Sequence, residues 1–233
     1  MKNIQICKNC GAQNPFYVST CLKCNFFIRD KIVNIDLWIA VSKLIDNPVK
    51  AFETIIQSEH KNFIISIILF SGAKFSIDSA FLSLFLFKNN LSDFELFSNI
   101  FIVIGILLII LFGSSFSLKL ITLNTQAKTR FKDNLAILVY SLIPHALAIC
   151  ILFPIELAVF GGYVFSANPS PFLLKPILAY VLSGFELLIF LWSIFLTIMG
   201  ILSQTRSKIF SLFSGLVYSV LIFISLYVLS ILR

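Results

Sequence analysis

Residues 98–123 read SNIFIVIGILLIILFGSSFSLKLITL. Within that stretch only Lys119 carries a charge. At about 1.5 Å per residue, a helix of this length crosses a hydrocarbon layer of about 30 Å. Four more blocks share the character: about Asn62–Phe87, Asn134–Ser166, Leu174–Leu202 and Ile209–Leu232. The composition agrees. The 233 residues are 58% hydrophobic and 12% charged, whereas soluble chains carry roughly 25% charged residues. No soluble core hides this much apolar surface, so lipid is the solvent for most of the chain. The sequence predicts an all-α integral membrane protein, a bundle of five spans.

The block Asn134–Ser166 is longer than one crossing and shorter than two with a turn. Pro144 and Pro154 each remove a helix hydrogen bond there, and Gly161-Gly162 offers an end. One long bent span with a short turn is the expectation, with a re-entrant pair as the alternative. No cleavable signal peptide is expected, because residues 1–30 are polar and lack an apolar run.

Basic residues set the orientation. Eight of the 18 Lys and Arg precede residue 62. With the N-terminus in the cytoplasm they lie inside, together with Lys119, Lys128, Arg130, Lys132, Arg206 and Lys208. Lys88, Lys175 and Arg233 lie outside. This is the positive-inside pattern. It predicts a multi-pass protein of the cell membrane with the C-terminus outside. A topology signal of this kind is no nucleic-acid footprint, so nucleic acid is not expected as a partner.

Residues 7–24 read CKNCGAQNPFYVSTCLKC. Two Cys-x-x-Cys turns can aim four thiolates, from Cys7, Cys10, Cys21 and Cys24, at one ion. Gly11 and Asn25 follow the two pairs and are the residue types that tolerate positive φ. A reducing cytoplasm suits thiolate ligands rather than disulfides. One structural zinc ion is therefore expected; iron in the same cage and two redox pairs are the alternatives. Four protein ligands leave no open position for catalysis. About 30 residues build no sufficient core, so the metal would supply folding energy. Phe16, Tyr17, Phe26 and Phe27 either grip a protein partner or pack the ribbon. Cys150 lies alone in an apolar segment and is expected to be packed.

Residues 31–61 mix apolar and charged positions. Ile32, Ile35, Ile39 and Leu44 suggest one helical stripe with Trp38 beside it. Asn47-Pro48 reads as an N-cap followed by proline at the first helical position, starting a second helix from Pro48 to about Gln57. The expectation is an amphipathic juxtamembrane helix pair at the interface, or else a hairpin packed on the cysteine module. The domain reading is residues 1–30 for the zinc ribbon, 31–61 for the juxtamembrane region and 62–233 for the membrane domain.

Five ionisable residues fall at membrane depth: Lys74, Asp78, His145, Glu156 and Glu186. Such residues are costly and usually face the bundle interior. Lys74 and Asp78 are four apart and can pair on one helix. Glu186 is expected either to be protonated and hydrogen-bonded across helices or to serve a proton or ion path with Asp78. His145 follows Pro144 and is expected to make a local hydrogen bond. Gly72, Ser76 and Ala80, and Ser211, Gly215 and Ser219, form small-residue faces suited to packing within the bundle or between protomers. The sequence contains no His-Glu-x-x-His stretch, no Gly-x-Ser-x-Gly elbow and no phosphate loop, so no enzyme chemistry is expected.

The layout resembles the Yip family, with a cytoplasmic N-terminal region before five spans. Asn47-Pro48-Val49-Lys50-Ala51-Phe52 is similar to the Asn-Pro…Phe stretch before the first span of prokaryotic members. Tyr140-Ser141-Leu142-Ile143-Pro144 resembles the Tyr-Ser…Pro stretch of the third span. Trp192 and Gly200-Ile201-Leu202-Ser203-Gln204, then Ser207-Lys208, resemble the connection between the last two spans. The resemblance covers about residues 45–232. It implies a membrane protein without catalytic residues, and a zinc ribbon in front is similar to that of many prokaryotic members. Eukaryotic members are implied to hold prenylated Rab GTPases, but their Asp-Leu-Tyr-Gly-Pro signature is missing from this sequence.

Three functions are compatible with these residues. The first is a non-enzymatic membrane scaffold or adaptor, whose ribbon recruits a cytoplasmic protein or organises the bilayer. The second is a transporter or channel component using the intramembrane carboxylates. The third is a membrane-anchored regulator sensing metal or redox state.

Overall fold

The structure is a computed structural model that describes residues 3–87 and 93–232. Lys88 and Arg233, counted above as outside residues, lie beyond the described residues. The protein is mostly helical, and a two-stranded sheet stands at its N-terminus. Strands β1 (Ile4–Ile6) and β2 (Gln13–Pro15) pair antiparallel, with Gln5 opposite Asn14.

Two short helices follow. Helix α1 spans Leu37–Asp46 and α2 spans Pro48–Gln57. The turn between them forms as its residues dictate. Asn47 accepts the Lys50 N–H on its side-chain oxygen at 3.2 Å, and Pro48 opens α2. The stripe expected for α1 is corrected. Asp36 caps the helix by accepting the Ile39 N–H at 3.0 Å, so the helix starts after Ile32 and Ile35. The chain at Ile32 and Val33 is instead held extended, accepting N–H groups from Glu59 and His60. The buried face is Ala40 and Leu44, while Trp38, Ile39 and Ile45 are exposed. Helix α2 buries Ala51, Phe52, Ile55 and Ile56.

Among the described residues, five stretches are long and apolar enough to cross a membrane: Ile64–Leu86, Asn99–Thr122, Phe131–Phe165, Pro176–Thr205 and Lys208–Ile231. They belong to α3 (Ile64–Phe87), α4 (Asp93–Thr122), α5 (Phe131–Tyr140) with α6 (Ile143–Phe160), α8 (Pro176–Thr205) and α9 (Lys208–Ile231). A single turn, α7 (Pro171–Leu174), precedes α8. The third block parts into α5 and α6 at Ser141-Leu142, one turn before Pro144. Pro154 is accommodated inside α6. Gly161, at φ +58°, ends α6, and a 3-10 turn over Gly161–Phe165 follows.

The chain folds as two compact units. One combines Met1–Ile64 with Leu111–Ser141 and Phe195–Val217; the other combines Ile65–Ile110, Leu142–Ile194 and Tyr218–Arg233. In the first unit, Gly200 of α8 lets Ile137 of α5 and Phe52 of α2 approach. A Cβ there would sit 2.6 Å from Ile137 and 3.2 Å from Phe52. Gly215 admits Ile198 in the same way, and in the second unit Gly72 admits Ile104. The small-residue faces are thus occupied within the chain. Cys150, expected to be packed, is exposed on the α6 surface beside exposed Ile151.

Candidate functional sites: a four-cysteine centre and an intramembrane cavity

The cysteine module is built from two matching turns. Gly11 N–H donates to Cys7 O, and Asn25 N–H donates to Cys21 O, each at 3.0 Å. Gly11 (φ +69°) and Asn25 (φ +55°) adopt the left-handed conformation that their residue types permit. The four sulfurs lie within 4.8 Å of one another, with Cys7–Cys24 and Cys10–Cys21 at 3.6 Å. Thiolates bound tetrahedrally at about 2.3 Å would stand about 3.8 Å apart. The residues therefore fit a metal ion held by four sulfurs.

The surroundings favour thiolate at Cys21 and Cys24. The Cys24 N–H and the Lys23 N–H pull Cys21 down to about 6, helped by the Asn14 side chain. The Phe26 N–H lowers Cys24. The Ala12 N–H favours the Cys10 thiolate too, yet the neighbouring sulfurs, Cys24 foremost, push Cys10 up to about 12.

The ribbon is fastened within its unit. The Asn3 amide donates to Gln204 O at 2.8 Å and to Ser203 O at 3.2 Å. The Arg130 guanidinium lies 4.1 Å above the Tyr17 ring, and that of Arg206 lies 5.9 Å from Phe16. Arg206 also pairs with Glu53. Arg29 donates to Tyr17 O at 2.9 Å and to Gln57 O at 3.3 Å. Phe16 and Tyr17 are therefore engaged by arginines of the chain itself, while Leu22, Phe26 and Phe27 are exposed.

The same unit holds an ionic group that sequence reasoning missed. Asp133 is fully buried and takes Arg130 at 2.6 Å and Lys61 at 3.1 Å. Lys61 also donates to Ile56 O and Ser58 O, closing the C-terminal end of α2. Its burial outweighs the attraction of Asp133 and pushes it down to about 8. An acid flanked by Arg130 and Lys132 at the head of an apolar block was the available signal.

The second unit gathers all five intramembrane candidates. Lys74, 1% exposed, pairs with Asp78 on its own helix and with Glu186 of α8. Glu186 also shares a side-chain hydrogen bond with Glu156 of α6. Glu186 is thus hydrogen-bonded across helices, to α3 and to α6. Its ion-pair partner across helices is Lys74 of α3. The His145 ring stands 4.6 Å from that of Phe75, and its buried Nδ1 has no hydrogen-bond partner among the described residues. The local bond at this position is made by the backbone instead: the Leu142 carbonyl accepts the His145 backbone N–H, and also Ser71 Oγ–H. Lys74, Asp78, His145, Glu156 and Glu186 all line one cavity of about 360 Å³.

A family model described as the Yip1 domain matches residues 42–232. The chain belongs to the Yip1 domain family. The match begins inside α1 and takes in every span, so the Yip1 domain comprises the juxtamembrane turn as well as the helices, with the four-cysteine module in front of it. Neither the curated proteins nor the solved structures give a match to this Yip1 protein.

Proposed function

We propose that this Yip1-family protein is a non-enzymatic membrane scaffold whose cytoplasmic zinc ribbon presents a fixed docking surface to a protein partner. The observation that carries the reading is the fastening of the ribbon. Asn3 holds the Ser203-Gln204 backbone, and Arg130 and Arg206 cover Tyr17 and Phe16. A ribbon fastened in this way is a platform rather than a tethered finger, and its outward side carries Leu22, Phe26 and Phe27. Zinc is the metal that suits four thiolates in a closed tetrahedral site. The basic loops favour a cell-membrane protein with its N-terminus inside and its C-terminus outside. Cross-linking and pull-down from native membranes, comparing wild type with Cys7→Ser/Cys10→Ser, tests the reading. A partner that is lost together with the zinc supports it, and an unchanged set of partners overturns it.

One observation favours a second reading, a transport component. Transport requires the intramembrane carboxylates to converge on one cavity, and Asp78, Glu156 and Glu186 line the same one. Flux through liposomes that is unchanged in Glu186→Gln would remove that residue from any pathway.

A further inference from the structure

The first unit carries a second cavity, open to solvent, where the ribbon, the end of α2 and the start of α5 meet. Its volume is about 260 Å³. Four cations line it, Arg29, Lys31, Arg130 and Lys132, against one carboxylate, Glu59. Lys31 already takes Glu59 at 3.0 Å. Arg130 is held by Asp133, which is buried and also takes Lys61. Arg29 and Lys132 are thus left without a carboxylate among the described residues. Arg29 donates instead to the carbonyls of Tyr17, Asp30 and Gln57. Burial, and after it the charge of Arg130, lower Arg29 from its ordinary value. A guanidinium keeps its proton in a protein, so the two like charges persist near each other.

The uncommitted donors can be reached from the cavity. Arg130 uses Nε and Nη2 on Asp133 and on Ile56 O. Its Nη1 has no hydrogen bond among the described residues and is not buried. Lys132 is exposed and makes no ion pair among them. The hydroxyls of Ser19 and Thr20 line the same space, unburied and without a hydrogen bond among the described residues. Phe131, between Arg130 and Lys132, is the first residue of the third span. That puts the cavity at the end of a span, where lipid phosphates lie. We propose that this cavity binds a phosphate monoester, either a lipid headgroup or a small free phosphate, with Arg29, Arg130 and Lys132 on its oxygens and the Ser19 and Thr20 hydroxyls donating from the ribbon. Arginine forks and ammonium groups are the usual donors to such oxygens. A monoester carries about two negative charges at neutral pH, which match the two cations left without a carboxylate. A phosphodiester carries one charge and leaves the second cation unmet. The inference does not rest on the scaffold reading and requires no protein partner.

The full chain in phosphatidylcholine nanodiscs, titrated with dihexanoyl phosphatidate and corrected against empty nanodiscs, provides the test. The expected result is saturable binding, with dihexanoyl phosphatidylglycerol bound about tenfold more weakly, roughly the loss of one charge-assisted contact. Lys132→Gln removes an exposed cation that makes no ion pair, and should weaken binding about fivefold, as for a pair partly open to water. Arg29→Gln should weaken it further. Lys43→Gln changes an exposed lysine of α1 outside the cavity. It should leave binding unchanged, which separates a site from diffuse surface charge. Glycerol phosphate distinguishes the sources. Binding as tight as that of phosphatidate assigns a free phosphate, weaker binding assigns the lipid, and either carries the proposal. Phosphatidylglycerol bound as tightly as phosphatidate overturns it, as does undiminished binding in Lys132→Gln, equal weakening in Lys43→Gln, or no saturable binding at all.

Discussion

At the scale of single residues, Lys74 and Lys61 are two buried cations in different positions. Lys74 holds Asp78 and Glu186, and both carboxyls depend on it. Removing one partner of a buried ion pair leaves uncompensated charge and costs about 3–5 kcal/mol. Lys74→Met should therefore lower unfolding stability in detergent by about 3 kcal/mol, the low end of that range, because the carboxyls reach the cavity. Adding Asp78→Asn and Glu186→Gln should restore most of the loss, and chemical denaturation of the three variants checks it. Lys61 is held at about 8 when folded, below its ordinary 10.5. The unfolded chain thus binds the extra proton between those values. This residue's contribution to stability is fully present above pH 10.5 and is lost as pH falls through 8. Unfolding free energy measured from pH 7 to 11 should rise with pH in wild type. That rise should be smaller in Lys61→Met, where Arg130 still holds Asp133.

At the scale of elements, helix contacts rest on absent side chains. A Cβ on Gly200 would meet the buried Ile137 at 2.6 Å and Phe52 at 3.2 Å. Neither neighbour has room to retreat in a close-packed interior. Gly200→Ala should cost about 1–3 kcal/mol through overpacking. Gly105 on α4 has nothing within 4 Å of its would-be Cβ, so Gly105→Ala should cost nothing. Melting temperatures of the two variants in the same detergent separate these outcomes. Elements also mark how far local patterns reach. The Asn47-Pro48 start of α2 was legible because a cap and a proline act within one turn. The start of α1 was misjudged because Ile32 and Ile35 fit a helical stripe equally well. Asp36 and the pairing of Ile32 and Val33 with Glu59 and His60 decided otherwise. That pairing joins positions far apart in sequence, where periodicity carries no information.

At the scale of the whole molecule, the ribbon and the first unit are one folding problem. The ribbon's contacts reach Ser203 and Gln204 in the last turn of α8, and Arg130 and Arg206 beside the ends of spans. Stripping the metal with a chelator should unfold the ribbon, because so small a module draws folding energy from its ion. Hydrogen exchange should then rise across residues 3–30 and in the loops around Arg130 and Arg206, while α3 and α6 keep their protection. A rise confined to the ribbon would mean that its contacts to the loops contribute little.

The sequence by itself determined the solvent of each part, the five apolar helices, the four-sulfur cage and its two left-handed turns. Each of these follows from composition, from helix length against bilayer thickness, or from the reach of a few neighbouring residues. The resemblance of short motifs over about residues 45–232 pointed to the family, and the match over 42–232 carries it. Only the tertiary structure decided which charges meet. Lys74 takes Glu186, 112 positions away, Lys61 takes Asp133, and the arginines cover Phe16 and Tyr17. Such pairings depend on how helices and loops come together, and a carboxylate carries no mark in sequence of the cation it will face. The cavity likewise arises from packing: phenylalanines that look like lipid contact in sequence line an open-mouthed space between α3, α6, α7, α8 and α9.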